Sequence, residues 1–214
     1  MQLAPTDRTR HRRLPQRGSF DVSLINDILD EALMCHVGFA PEGRPCVIPT
    51  IHARVDDRLY VHGAVANHML RALDAGVETC VTVTLVDGLV LARSAFHHSM
   101  NYRSVLVFGT ATRVDELDEK RGALHALVEH VVRGRSAEAR PPTESEMRKT
   151  LVLRLPINEA SAKVRTGGPV DDAEDLDMPI WAGVLQCRMA FGDPIADEGV
   201  SAPVPSYVRD YTRT

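Results

Sequence analysis

From Thr79 to Val86 the chain reads TCVTVTLV, β-branched and apolar residues alternating at period two, and this run constrains the fold more than any other. Such a strand buries one face and offers the other to a second contact. Asp87-Gly88 follows as a hairpin signal, and Leu89–Arg93 reads as the returning strand. The stretch Leu85–Ser104, LVDGLVLARSAFHHSMNYRS, then sets Arg, Ser, two His, Asn, Tyr and a second Arg between two apolar runs, the later one beginning at Val105–Phe108. A donor-rich segment between core strands costs free energy unless its groups are paired. Either a bound anion or a dense internal network must satisfy it.

The remaining periodicities are short. Leu24, Ile25, Ile28, Leu29, Ala32 and Leu33 share one face of a helix expected over Asp21–Met34, with Asp21 or Ser23 as N-cap. His36–Ala40 and Cys46–Arg54 read as strands around the turn Pro41–Pro45, and Asp56-Asp57 turns the chain into Leu59–His62. A helix over Asn67–Ala75 ends at Gly76, and another over Asp118–Val132 is closed by Gly134. Strands are further expected at Glu78–Val86, Tyr102–Val114, Leu151–Leu155 and Ala160–Thr166, with Arg135–Thr143 as a surface loop. Short strands interrupted by helices, rather than alternating with them, predict a mainly β fold with peripheral helices, an antiparallel barrel and not a doubly wound sheet.

With 214 residues the chain has the length of one domain, and 44% hydrophobic with 25% charged residues is ordinary for a globular protein. A net charge of −4 gives no support for nucleic-acid or membrane-surface partners. No apolar run approaches the roughly 18 residues of a membrane span. The Arg-rich N-terminus lacks the apolar stretch of a secretory signal, and Cys35, Cys46, Cys80 and Cys187 form no CxxC pair, so reduced thiols in a cytoplasmic protein are expected. The basic residues 1–19 are expected as a disordered arm, 20–190 as the folded domain, and the Pro-, Gly- and Asp-rich residues 191–214 as an extended tail.

No GxSxG, GxxxxGK[ST], HExxH or strand-to-helix GxGxxG occurs. His97 and His98 with His52 and His62 invite a metal reading, but adjacent histidines on a strand point to opposite faces, so no metal site is expected. His62-Gly63 ends a strand and Asn67-His68 begins a helix, an arrangement suited to an anion such as phosphate. Asn67 is equally explained as a helix cap. Arg93, Ser94, Arg103 and Ser104 would add charge-assisted hydrogen bonds to the same group.

The segments VIPTIHARVDDRLYVHGAVANHMLRAL (Val47–Leu73), DGLVLARSAFHHSMNYRSVLVFGTA (Asp87–Ala111) and SAKVRTGGPVDD (Ser161–Asp172), with WAGV (Trp181–Val184), closely resemble the flavin-nucleotide-binding branch of the pyridoxamine 5′-phosphate oxidase-like family. The resemblance runs from Phe20 to Val184 and implies a split β-barrel homodimer with FMN held between the subunits. It implies His62, Gly63, Asn67 and His68 near the flavin phosphate, although Ala66-Asn67-His68 replaces the Ser-Arg-Lys of the oxidases. The phosphate cation is then sought at Arg103, Lys163 or Arg165, which also compete for the flavin N1/C2 edge. Thr50 and His52 match positions lining the pyrimidine, Arg103-Ser104 matches an Arg-Gln pair on the flavin, and Trp181 is either a wall of the substrate cavity or a core residue. His52 and His98 are the expected acid–base pair, because histidine titrates near neutrality. The tail lacks the Arg-Leu-x-Pro ending of the oxidases, so the expectation is an FMN-dependent oxidoreductase for a small organic substrate, such as a nitro-compound reductase. A non-catalytic flavin-binding or sensor protein is one alternative. A haem-binding split barrel, with His97 or His98 as axial ligand, is another.

Overall fold

The computed structural model describes residues 1–213. In chain order the elements are β1 (Gly18–Ser19), α1 (Val22–Glu31), β2 (Cys35–Phe39), β3 (Cys46–Thr50), β4 (Ala53–Val55), β5 (Arg58–Ala64), α2 (His68–Asp74), β6 (Thr79–Leu91), β7 (Ser99–Gly109), β8 (Thr112–Arg113), α3 (Leu117–Val131), α4 (Glu144–Lys149), β9 (Thr150–Pro156), β10 (Ala160–Arg165), β11 (Gly183–Gln186) and α5 (Ser206–Arg209). They form a 7-stranded sheet in the order β1-β10-β7-β6-β2-β3, with β11 added to β6, and a 4-stranded sheet in the order β4-β5-β9-β8. Every pairing is antiparallel. The mainly β split barrel expected from the sequence is the observed architecture.

The strand expected over Cys46–Arg54 is two strands, because the chain leaves one sheet and enters the other at Ile51-His52. It crosses again between β7 and β8 and between β9 and β10. The main core lies between the sheets and takes Ile25, Ile28 and Leu29 from α1, Val81 and Val83 from β6, Val105 and Val107 from β7, and Leu151, Leu153 and Leu155 from β9. The smaller sheet is buried on both faces. Leu59 and Val61 of β5 point to the main core, whereas Tyr60 and Val152 pack with Ala123 of α3 on the opposite side. That explains why LVLRL lacks a clean alternation. Glu119 of α3 accepts from Tyr60 Oη at 2.8 Å and from Arg154 at 2.6 Å, which seats the helix on the sheet.

Asp87-Gly88 is not a hairpin turn. β6 runs straight through it, with a bulge between Val86 and Gly88, and the turn falls at Ala92–His98. Gly88 is required by a close approach: a Cβ there would lie 2.8 Å from Val184 Cγ1 and 3.1 Å from the Leu185 carbonyl oxygen of β11.

Both chain ends differ from expectation. Residues 1–19 are largely exposed but touch the body at several points: Leu3 N–H donates to Phe20 O at 2.9 Å, Thr9 is buried, Arg8 pairs with Glu159 and Glu78, and β1 adds to β10. The arginines that suggested a solvated arm include one, Arg8, whose partners come from sequence-distant loops. In the tail 191–214, residues 191–203 are exposed, but Tyr207 and Tyr211 donate to Glu138 and to Val131 O, and Arg213 reaches the end of α1. Thr214 lies outside the described residues. Arg213 donates to the carbonyls of Glu31 (2.6 Å), Asp30 (3.2 Å) and Ala32 (3.2 Å), groups that the helix leaves unpaired. Arg213→Ala is expected to lower unfolding stability by about 1–3 kcal/mol, since these acceptors are half-buried. Urea denaturation followed by circular dichroism measures it.

Candidate functional site

The polar segment after β6 is satisfied largely from within. The Asp171 carboxylate, almost fully buried at 1% side-chain exposure, accepts from Arg93 N–H at 2.9 Å and from the Arg93 guanidinium at 3.0 Å. Ser94 Oγ accepts from Phe96 N–H, His97 meets Asp172 at 3.0 Å, and Asn101 donates to Gly167 O at 3.0 Å. Arg93 and Ser94, expected on an anion, take part in this turn, and Arg93 Nε is buried without a partner. Their partner Asp171 lies in a loop that sequence spacing could not bring to them.

Strand alternation sorts the expected flavin contacts onto two faces. Arg103 stands opposite Leu85 and Val164, on the core side, where its guanidinium pairs with Glu31 and with Asp87 at 2.8 Å. These two carboxylates raise its pKa and outweigh its charge. Arg103 is therefore removed from the candidate cations and from the flavin edge. Ser104, its neighbour, faces outward beside Lys163, and Lys163 shares its face with Ser161 and Arg165. Arg165 is buried at 6% exposure, and burial lowers its pKa, with Arg17 adding repulsion. Its donors reach only Asn101 Oδ1 and the carbonyls of Gly167 and Gly168, and its Nε has no partner. Ser161 Oγ is likewise buried and unpartnered. Among the described residues neither Lys163 nor Arg165 has a carboxylate within ion-pair distance. A cationic row with orphaned donors on one sheet face fits an anionic group.

The β5–α2 group departs further from expectation. Asn67 is the N-cap of α2, its Oδ1 accepting from Leu70 N–H at 3.1 Å. Gly63 is needed because a Cβ would meet Leu70 Cδ1 at 3.0 Å. His62 is half-buried with Nδ1 unpartnered, and burial lowers its pKa. His68 is exposed, its ring 6.2 Å from that of Phe39. Thr50 lies opposite buried Cys35, and its hydroxyl reaches only the Ile51 carbonyl at 3.5 Å.

His52 is fully buried, bonded through Nε2 to Leu29 O at 2.9 Å, with its ring 4.7 Å from that of His130. It is corrected from acid–base candidate to core residue, since no substrate reaches it. His98 is exposed, with Nδ1 3.0 Å from Ser94 O. A cleft of about 960 Å³ between α1, α3 and the docked tail is lined by Asp27, Glu31, Glu129, Arg133, Tyr207 and Arg213, and contains none of the sequence-expected residues.

The other end of the outer face is apolar. Leu89 stands beside Met100 and Leu185, and the Trp181 ring lies over Gly183 of the same strand face as Leu185. Trp181 is 67% exposed, so it is not a core residue.

The chain as a whole is similar to known proteins. Residues 21–164 match the family model described as pyridoxamine 5′-phosphate oxidase. The chain belongs to that family. A flavocytochrome, Anf3 from Azotobacter vinelandii, is similar at 37% identity over 98% of this chain and 99% of its own, with a TM-score of 0.91. A FAD and haem binding protein from Mycobacterium smegmatis is similar at 38% identity over 92% of this chain and 97% of its own, with a TM-score of 0.87. A proposed 5-nitroimidazole antibiotic resistance protein from Bacteroides thetaiotaomicron is similar at 26% identity over 67% and 84%, with a TM-score of 0.57. A search of curated proteins found no match. Within this member of the family, sequence reasoning missed Ser161 and Arg17 of the cationic row. The alternation of ASAKVR, which puts Ser161, Lys163 and Arg165 on one side, was the available signal.

Two predictions follow from the charge pattern. Arg103→Leu strands Glu31 and Asp87 and is expected to destabilise the fold by about 1–3 kcal/mol, measured by denaturant unfolding. His130 is lowered to about 4 by burial, with His52 and Arg213 adding repulsion. A histidine depressed in the folded state binds more protons when unfolded, so stability falls as pH drops from about 6.5 toward that value. His130→Gln is expected to flatten the thermal midpoint over that window relative to wild type.

Proposed function

We propose that the protein is a flavin- and haem-binding redox protein that acts as a dimer. The reading is carried by the near full-length likeness to two proteins whose names give a flavocytochrome and a FAD and haem binding protein. The cationic row suits the phosphate end of a flavin nucleotide, with Lys163 and the end of Arg165 neutralising it and Ser104 supplying a hydroxyl donor. The nucleotide is proposed as FAD, following the mycobacterial relative, in place of the FMN implied by the sequence resemblance. The patch of Leu89, Met100, Leu185 and Trp181 is proposed to meet a second copy of the chain, closing the site from water. When bound, a flavin exchanges hydride and single electrons and a haem exchanges single electrons. The chain's own residues hold the phosphate, orient the ring and exclude solvent.

An oxidoreductase for small organic molecules is the proposed activity. Nitro-compound reduction is the second reading, favoured by the likeness to the Bacteroides protein. No helix among the described residues is long and apolar enough to cross a membrane.

The absorption spectrum of purified protein tests the reading, with flavin bands and a Soret band expected together. Chromatography of the acid-released flavin separates FAD from FMN, and light scattering is expected to give a dimer. Lys163→Met should weaken the flavin nucleotide by roughly 10- to 100-fold, the worth of one charge-assisted hydrogen bond, and leave riboflavin affinity unchanged. Equal loss for both ligands removes the phosphate from β10. Reduced protein reoxidised by a nitroaromatic panel no faster than by oxygen would remove the second reading.

A further inference from the structure

We infer that the C-terminal segment Val204–Arg213 is a releasable strap over the cleft between α1 and α3, held shut by a neutral His130 and let go when that imidazole takes up a second proton. Residues 192–203 are all exposed, and their hydrogen bonds, Val200 N–H to Asp197 O and Glu198 N–H to Asp197 Oδ1, stay within the stretch. A tether without bonds to the body lets the segment beyond it open on its own. None of the strap's residues is buried, so its docking rests on a few contacts. Tyr207 Oη donates to Glu138 at 2.6 Å, Tyr211 Oη donates to Val131 O at 2.7 Å, and Phe191 meets the Tyr211 ring edge-on at 4.6 Å. Arg213 donates to the carbonyls of Asp30, Glu31, Ala32 and His130.

His130 touches the strap through its ring as well as its carbonyl. Arg213 Nη2 lies 2.9 Å from Nε2 and 3.5 Å from Nδ1. A neutral imidazole keeps one lone pair to accept from the guanidinium and one N–H, which Nε2 can give to Ala32 O at 2.8 Å. An imidazolium keeps no lone pair and sets a positive charge against Arg213. His52 stands on the other side, its ring 4.7 Å away and bonded to Leu29 O. Asp30 of α1 is the acid that favours the proton, but its carboxylate is already paired with Arg54 of β4. Glu31 is paired with Arg103, and Glu129 of α3 accepts from the N–H groups of Gly134 and Ser136. His125, Arg133 and Asp210 line the same cleft.

Burial, then the repulsion of His52 and Arg213, holds His130 down at about 4 with the strap in place. Release opens the ring to water, where a histidine titrates at about 6.5. The released form therefore binds the proton more readily, so docking is complete above about pH 6.5 and weakens as pH falls toward the docked value. On release Tyr207 and Arg213 leave the cleft of about 960 Å³, and its Asp27, Glu31 and Glu129 wall opens to solvent.

Hydrogen exchange of the full-length protein, read by mass spectrometry and corrected for the intrinsic pH dependence of amide exchange, tests the strap. Between about pH 7.5 and about pH 5, protection of residues 204–213 in wild type should fall roughly 10- to 30-fold while β6 and β7 keep theirs. His130→Gln, whose amide can donate to Ala32 O and accept from Arg213 without titrating, should hold the strap equally at both pH values. Arg213→Met should leave it unprotected at both, with the sheets still protected. Tyr207→Phe should lower protection by the same factor at each pH and keep the slope. A wild-type strap whose corrected protection ignores pH, a slope that survives in His130→Gln or Arg213→Met, or a loss shared equally by strap and sheets overturns the inference.

Discussion

The last turn of α1 is where the molecule is tied together. An α-helix leaves its final carbonyls without intrahelical partners, and its C-terminal end carries partial negative charge. Here Leu29 O is bonded to His52, Asp30 O and Glu31 O accept from Arg213, and Ala32 O lies against both His130 and Arg213. The side chains of the same turn reach Arg54 and Arg103. One helix end thereby joins the crossing between the two sheets, the long β6–β7 ladder, the end of α3 and the C-terminal tail. His52 cannot be both this tie and a surface acid–base group, which is why its burial matters to function.

A second constraint is the pleat of β7 and β10. Adjacent residues Arg103 and Ser104 differ in fate because one turns to the core and the other to the outer face. A guanidinium turned inward must find carboxylates, and Glu31 and Asp87 supply them. Asp87 is available because the bulge at Val86/Gly88 inserts it as the extra residue of β6. On the outer face Lys163 and Arg165 have no carboxylate within ion-pair distance among the described residues, and Arg165 is bonded to Asn101 and to the carbonyls of Gly167 and Gly168.

The turn between β6 and β7 is held by hydrogen bonds from elsewhere in the chain. Asp171 gathers the backbone of Arg93 and Ser94, and the turn then presents Phe96, His98 and Met100 to the surface. Beside it Leu89, Leu185 and Trp181 form an apolar area next to a charged one.

Much of the fold was legible in the sequence. The period-two runs marked the buried faces of β6, β7 and β10, the spacing in Asp21–Met34 marked α1, and Asn67 was readable as a cap from its place before an apolar helical stripe. Long, specific segments also carried the family. Local patterns do this because side-chain direction within an element depends only on its own dihedrals. What the sequence left open was every pairing between distant residues. Arg93 with Asp171, Arg103 with Glu31, Arg8 with Glu159 and Arg213 with the end of α1 are separated by 72 residues or more. Only the tertiary structure could decide which of the arginines are paired with carboxylates, because a charge is neutralised by its neighbours in space and not by those in sequence.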